Sequence, residues 1–370
     1  MSYKNMKHLL RVIAIVWAAA MLTACVKEPV APTPTQTTEQ NGDEVTAVQS
    51  AYSPSAAQKP RCMACADGKV YVTCGYPPAL LRIDTAEGRI DRMLKFNTVY
   101  DLEGIAAANG KLFVASSWTT DESGTVVYDN RVFVIDLATF SLVKVVTVGA
   151  DPQRVKAVDA THVVVTCGYG GDVPATSYLI DATTYSATDL GLAITAMDVS
   201  DGEVYGYSGG YTAAASFFRF NPLTNSRETL LAGCGISNPY SINTIDGKIY
   251  VTTDGHYSAA GDVVCFDTTG TQQWLAEAGM LPSKVAALGD GTAYVLDEGN
   301  WGANEASIDR INLTTGAIVK NVFSTANSRG LGDVAQDLMV YGKKAYVTVS
   351  FSNTVEIIDT RDNTSHQITL

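Results

Sequence analysis

Histidine, clustered basic charge and helical periodicity are what this chain of 370 residues has least of. Of its four histidines one, His8, lies in the N-terminal leader, and His162, His256 and His366 stand far apart with no metal-binding spacing between them. No Gly-x-Ser-x-Gly elbow presents a nucleophilic serine, and no Gly-rich loop is built to cradle phosphate. Hydrolytic, zinc-dependent and nucleotide-driven chemistry therefore lack their residues. His256, two positions from Asp254, is the one candidate base, and a loop histidine is more often simply solvated. Cys62-Met63-Ala64-Cys65 has the two-residue gap of a zinc or redox pair, but no second pair follows, and Ala66 stands where a haem attachment signature needs histidine. Oxygen ligands are plentiful in Asp297-Glu298-Gly299-Asn300, although carboxylates so close in sequence are more often solvated than calcium-bound. The expectation is a chain with no catalytic residue, no metal and no cofactor, and not an enzyme.

The formal charge is −12, and it becomes −15 once a leader carrying Lys4, Lys7 and Arg11 is removed. Binding a polyphosphate requires clustered Lys and Arg, so nucleic acid is not an expected partner.

After the charged start, Val12 to Met21 is an apolar run too short to span a bilayer comfortably, which reads as a secretory signal peptide over residues 1–24. It ends in Leu22-Thr23-Ala24-Cys25, which resembles the lipobox of bacterial lipoproteins. That resemblance implies acylation of Cys25 and a membrane-tethered mature chain. Residues 25–59, with Pro29, Pro32, Pro34 and Pro54 among many Thr, Gln and Ser, read as a disordered spacer.

From residue 60 to 370 one pattern recurs. A tight turn and a strand appear as Gly68-Lys69-Val70-Tyr71-Val72, Gly110-Lys111-Leu112-Phe113-Val114, Gly247-Lys248-Ile249-Tyr250-Val251 and Gly342-Lys343-Lys344-Ala345-Tyr346-Val347. A second turn follows in step: Ile83-Asp84-Thr85, Ile135-Asp136-Leu137, Ile180-Asp181-Ala182, Phe220-Asn221-Pro222, Phe266-Asp267-Thr268, Ile311-Asn312-Leu313 and Ile358-Asp359-Thr360, spaced by 52, 45, 40, 46, 45 and 47 residues. Repeats of about 40 to 50 residues holding several strands each signal a β-propeller. The predicted class is all-β: one domain, a seven-bladed propeller of four-stranded antiparallel blades.

With strands a to d running outward from the axis, the a–b and c–d turns share one face, and the b–c and d–a connections share the other. The former are short and stereotyped and the latter variable, so binding is expected on the b–c face. Its loops supply one aromatic per blade: Tyr76, Trp118, Tyr169, Tyr211, Tyr257, Trp301 and Phe351. Such rings suit a large, rigid, partly apolar ligand or a protein partner, and equally suit capping each blade against its neighbour. The d–a segments add Arg61, Arg154 and Arg329, cations able to receive a carboxylate, phosphate or amide and equally able to be plain ion pairs. Cys74 and Cys167 occupy equivalent Val-Thr-Cys-Gly-Tyr positions and read as buried thiols, with disulfide pairing left open.

The Gly-Lys-x-Tyr-Val-Thr strand and Ile-Asp-Thr turn resemble the YVTN-type, YncE-like seven-bladed propellers over the whole folded part. Val295-Leu296-Asp297-Glu298-Gly299-Asn300-Trp301-Gly302-Ala303-Asn304 with Leu331-Gly332-Asp333-Val334-Ala335-Gln336-Asp337 is similar to segments of propeller lipoproteins that capture cobalamin on the outer surface of some Gram-negative bacteria. In those relatives the matching blade comes first, whereas here it comes sixth. The resemblance implies a lipid-anchored outer-membrane protein at the cell surface, with a periplasm-facing anchor as the alternative. It also implies a corrinoid or similar ligand, a TonB-dependent transporter as partner, and Glu298, Asn300 and Trp301 in a face loop. The rival readings are an envelope interaction scaffold and, less supported, a lactonase-like or quinoprotein-like enzyme.

Overall fold

The hairpins begin with backbone that only certain residues tolerate. Asp67-Gly68, Asn109-Gly110, Asp201-Gly202 and Asp246-Gly247 all have positive φ at both positions, the two-residue turn whose twist matches paired strands. The computed structural model describes residues 44–48, 57–168, 173–209, 214–231 and 236–370. Strands a to d of blade one are Pro60–Ala66, Lys69–Gly75, Pro78–Asp84 and Arg89–Phe96, and those of blade seven are Ala335–Tyr341, Lys344–Val349, Thr354–Asp359 and Ser365–Thr369. The five blades between them are likewise four-stranded antiparallel sheets taken in sequence order, so the chain is a seven-bladed β-propeller.

The Asp or Asn of each second turn caps its own loop. Asp84 Oδ1 accepts from Ala86 N at 2.9 Å, Asp267 Oδ1 from Thr269 N at 2.9 Å and Asn312 Oδ1 from Thr315 N at 2.9 Å. Thr85 Oγ1 donates to Gly68 O at 2.7 Å, which joins the two turn types on one face.

Strands b and c are buried on both faces, and the repeated tyrosine explains how blades adhere. Tyr71 packs among Leu112, Val114 and Phe133 of blade two, Tyr250 among Ala293 and Val295 of blade six, and Tyr294 among Leu338 and Val347 of blade seven. Tyr346 of blade seven packs on Val70, Val72 and Leu81 of blade one, which closes the ring with the same contact. Burying one such side chain contributes about 2 kcal/mol or more.

The threonine after this segment has its own task. Strand a is bulged near its start, and Thr73, Thr166, Thr252 and Thr348 on strand b accept the displaced amide of Cys62, Arg154, Ser241 and Asp337 at 3.0, 3.3, 3.0 and 3.0 Å. Thr348 Oγ1 also donates to Arg61 O across the seam at 2.6 Å. Thr348→Val keeps the shape but leaves the Asp337 amide and Arg61 carbonyl unpaired. We expect a loss of about 2 kcal/mol in urea unfolding, and an unchanged midpoint would contradict this role.

Two features depart from expectation. Within the stretch expected to be spacer throughout, Val45–Val48 forms a fifth strand on strand d of blade one, with Val45 opposite Phe96 and Val48 opposite Met93, and Ala57 is fully buried. An uncovered outer strand offers unpaired amides and carbonyls, and this segment satisfies them. A six-residue α-helix, Val322–Asn327, follows the two-residue strand d of blade six and seats Phe323 in the core. No described helix is long and apolar enough to cross a membrane.

Candidate ligand-binding mouth

A recurring entry geometry shapes the b–c face. Lys59, Asp151, Asn238 and Leu281 each precede a proline at the start of strand a, and Val334 precedes Ala335; all five have positive φ. Each one's carbonyl accepts an amide at the end of strand b or just past it: Gly75 N at 2.9, Gly168 N at 2.8, Asp254 N at 3.0, Glu298 N at 2.9 and Ser350 N at 2.7 Å. Left-handed backbone at a β-branched residue such as Val334 is strained, so the surrounding packing fixes the loops here.

The second residue after that left-handed position points a polar group at the channel mouth in blades one, five and seven: Arg61, Tyr240 and Gln336. Glu298, 6% exposed, is the focus: its carboxylate accepts from Tyr240 Oη, from Gln336 Nε2 at 3.1 Å and from Trp301 Nε1 at 3.3 Å. Gln336 Oε1 in turn accepts from Arg61 Nη1 at 3.4 Å, and Arg61 Nη2 donates to Asp101 Oδ2 at 2.7 Å. The network thus runs through blades five, six, seven, one and two. Burial, reinforced by Glu103, pushes the Asp101 carboxyl up to about 6 against the pull of Arg61. Burial opposes the charge on Arg61, but Asp101 and Glu103 outweigh it and raise its pKa. Burial and then Arg61 lower that of Lys59.

Exposed rings sit over this polar floor. Trp301 and Phe351 lie 5.2 Å apart between centroids, Lys59 Nζ lies 5.7 Å from the Phe351 ring, and Tyr76 meets Tyr100 at 6.0 Å. Tyr76, Trp301 and Phe351 are 46, 48 and 40% exposed. The Asp333 carboxylate accepts from Gly302 N at 3.0 Å, and its own amide donates to Ser352 Oγ at 2.9 Å, so the Trp301 and Phe351 loops are tied together. Tyr257 meets Tyr240 edge-on at 6.2 Å, Trp118 packs on Tyr128 at 4.2 Å, and the Asn300 amide donates to Glu305 Oε1 at 3.0 Å. Tyr169 and Tyr211, like Cys25, lie outside the described residues.

Deeper in the channel, opposite charges pair between blades. Lys156 meets Asp198 at 3.0 Å and Lys284 meets Asp337 at 3.5 Å, while Asp337 Oδ2 accepts from Met63 N at 2.9 Å. The exposed Arg154 of blade three reaches Cys62 Sγ of blade one, 3.9 Å away. Burial pushes the Cys62 thiol up to about 12, so it is no nucleophile at neutral pH. Cys74, Cys167 and Cys265 are buried and unpaired, and Cys65 is exposed. Among the described residues no group of three or more His, Cys, Asp or Glu could hold a metal ion.

Arg329 is not at the mouth with Arg61. Its guanidinium grips Glu356 of strand c in blade seven through bonds of 2.9 and 2.8 Å, because that carboxylate is fully buried and needs a cation. The reading of the residues passed over Lys59, Glu103 and Gln336. The available signal was the entry pattern itself: Pro60-Arg61, Pro239-Tyr240 and Ala335-Gln336 all place a polar residue at the same point of the repeat.

No protein-family model matches the sequence, and no curated protein does. Solved structures match in fold. The Kuenenia stuttgartiensis hydrazine synthase shares 14% identity over 85% of this chain and 99% of that one, with a TM-score of 0.62. Saccharomyces cerevisiae Sqt1 shares 10% over 86% and 87%, with a TM-score of 0.56. The dihydro-haem d1 dehydrogenase NirN, in complex with DHE, shares 12% over 91% and 75%, with a TM-score of 0.57. At these identities the likeness is one of propeller architecture.

Proposed function

We propose that this propeller is a lipid-tethered binding protein rather than an enzyme, and that its b–c mouth captures a large, rigid nutrient of the corrinoid type for a TonB-dependent outer-membrane transporter. One observation carries the reading: Trp301, Phe351 and Tyr76, in the adjacent blades six, seven and one, are exposed around the partly buried Tyr240–Glu298–Gln336–Arg61–Asp101 network, whose Glu298 is buried. Soluble surfaces seldom gather exposed rings without an occupant for them. Flat rings above fixed hydrogen-bonding groups suit a ligand with a broad apolar face and amide-bearing edges. The resemblance of the Glu298–Gly302 loop to cobalamin-capturing lipoproteins supplies the ligand class, and the lipobox-like Leu22–Cys25 supplies the tether.

Cyanocobalamin titrated into the mature chain is expected to quench Trp118 or Trp301 fluorescence and to saturate at micromolar concentration. In calorimetry Trp301→Ala is expected to bind about tenfold or more weakly, the loss typical of an aromatic anchor. No saturation at micromolar levels removes the corrinoid. Recovery of a stable envelope partner without the vitamin would favour a pure interaction scaffold instead.

A further inference from the structure

The charges around the paired rings of the mouth are one-sided. Glu298 of blade six lies under the exposed Trp301: its Oε1 accepts from Trp301 Nε1 at 3.3 Å and from Gln336 Nε2 at 3.1 Å, while Oε2 accepts from Tyr240 Oη. Indole and amide N–H groups only donate, so the oxygen facing the ring is an acceptor. Two further carboxylates flank the same loop. Asp333 takes Gly302 N at 3.0 Å, and Glu305 takes Asn300 N at 3.0 Å. Lys59, 5.7 Å from the Phe351 ring, is the cation set against these three. Arg61 is held by Asp101 at 2.7 Å and lies 3.8 Å from Glu103, so its charge is answered before a ligand arrives. Lys156 and Lys284 face Asp198 and Asp337 deeper in the channel, and Arg154 belongs to blade three, across the ring from the Trp301 loop of blade six.

We propose that Glu298 is a specificity-determining residue: the mouth takes a ligand whose edge donates hydrogen bonds, as a primary amide does, and turns away the same skeleton carrying a carboxylate at that edge. The inference rests on the reading of the mouth as a capture site for a broad, amide-edged ligand, and it adds what the site rejects. A group passing the rim of Trp301 meets the Glu298 carboxylate next. An amide nitrogen can share that acceptor. A carboxylate has no hydrogen to offer and brings a like charge up to a side chain only 6% exposed, where salt and water screen little. Like charges placed this way cost more than the hydrogen bond that is lost. Discrimination of this kind comes from penalising the wrong ligand as much as from holding the right one.

The test is calorimetry of the mature chain near neutral pH with cyanocobalamin and with each monocarboxylic acid made from it by hydrolysing a single side-chain amide. At least one acid is expected to bind about tenfold or more weakly than the intact amide. In Glu298→Gln the same acid is expected to come within about threefold of it. The glutamine keeps the shape: its oxygen can still accept from Trp301 and Gln336, and its amide can donate to the Tyr240 hydroxyl. Because the ratio is taken within each protein, a general weakening of the variant does not imitate the result. Lys59→Gln reads the same field without touching Glu298 and is expected to widen the gap. If every acid binds the parent chain as well as cyanocobalamin does, the discrimination fails while the capture reading stands. A gap unchanged in Glu298→Gln, or narrowed in Lys59→Gln, overturns the role given to Glu298. Absence of cyanocobalamin binding removes the capture reading and this inference with it.

Discussion

Arg329→Ala is expected to cost about 3 kcal/mol of folding stability. Glu356 has no exposure, and its two oxygens take both terminal nitrogens of Arg329, with Ser365 Oγ at 2.9 Å and Gln367 Nε2 at 2.7 Å completing the shell. Removing the cation leaves a buried carboxylate with two neutral donors only. Because the Arg329 side chain is 37% exposed, water can enter in its place, which sets the loss near the low end for broken buried pairs. Glu356→Gln in the Arg329→Ala background removes the stranded charge and is expected to recover a substantial part. Urea midpoints of the two variants read this directly. If the double variant is no more stable than the single one, the loss does not come from the orphaned charge.

The second large effect concerns pH. Asp297 is fully buried at the end of strand b in blade six. Its Oδ1 accepts from Gly279 N at 2.9 Å and its Oδ2 from Ser307 Oγ at 2.7 Å. Burial, with the nearby Asp309 carboxylate adding to it, pushes the Asp297 carboxyl up to about 8. The folded chain therefore keeps a proton that the unfolded chain releases near pH 4. Between those values the folded state binds more protons, so stability falls as pH rises, by up to about 1.4 kcal/mol per pH unit from this group, and the decline stops above about pH 8. Asp297→Asn supplies a permanently neutral side chain, and the Ser307 hydroxyl can turn to accept from its amide. The variant is expected to match the parent near pH 4 and to exceed it at pH 8 by about 2 kcal/mol or more. Parallel pH dependences of the urea midpoint in the two proteins would assign the decline elsewhere.

The architecture was legible because its signals are local. Asp-Gly pairs set hairpins, Ile-Asp-Thr sets the capped turn, and both recur at nearly fixed spacing, so blade number and face assignment followed from counting. The Val-Tyr-Val core was equally readable, although only the structure shows that each tyrosine is spent on the next blade. What stayed hidden depends on long-range pairing. Arg61 and Arg329 look alike in sequence, yet one belongs to the mouth and the other to Glu356 of strand c. Val45–Val48 is too short and too polar in its surroundings to stand out from the proline- and threonine-rich stretch, and it becomes a strand only because blade one leaves an edge to cover. Gln336 gave no chemical signal alone; its meaning came from equivalence with Arg61 and Tyr240, each two residues past the left-handed entry residue.

The seam between blades one and seven also bears on how the chain folds. Each blade's four-strand sheet is drawn from one short stretch of chain, so strand pairing can proceed blade by blade as each segment becomes available. The seam instead relies on partners at opposite ends: Lys59 N with Asn353 Oδ1, 294 positions apart, and Thr348 Oγ1 with Arg61 O, 287 apart. Closing so long a loop costs several times RT in chain entropy. That cost falls due only when Tyr346 and Leu370 arrive to cover Val70 and Val72. Until then blade one has a bare apolar face, which makes the open arc of six blades the intermediate most exposed to wrong association.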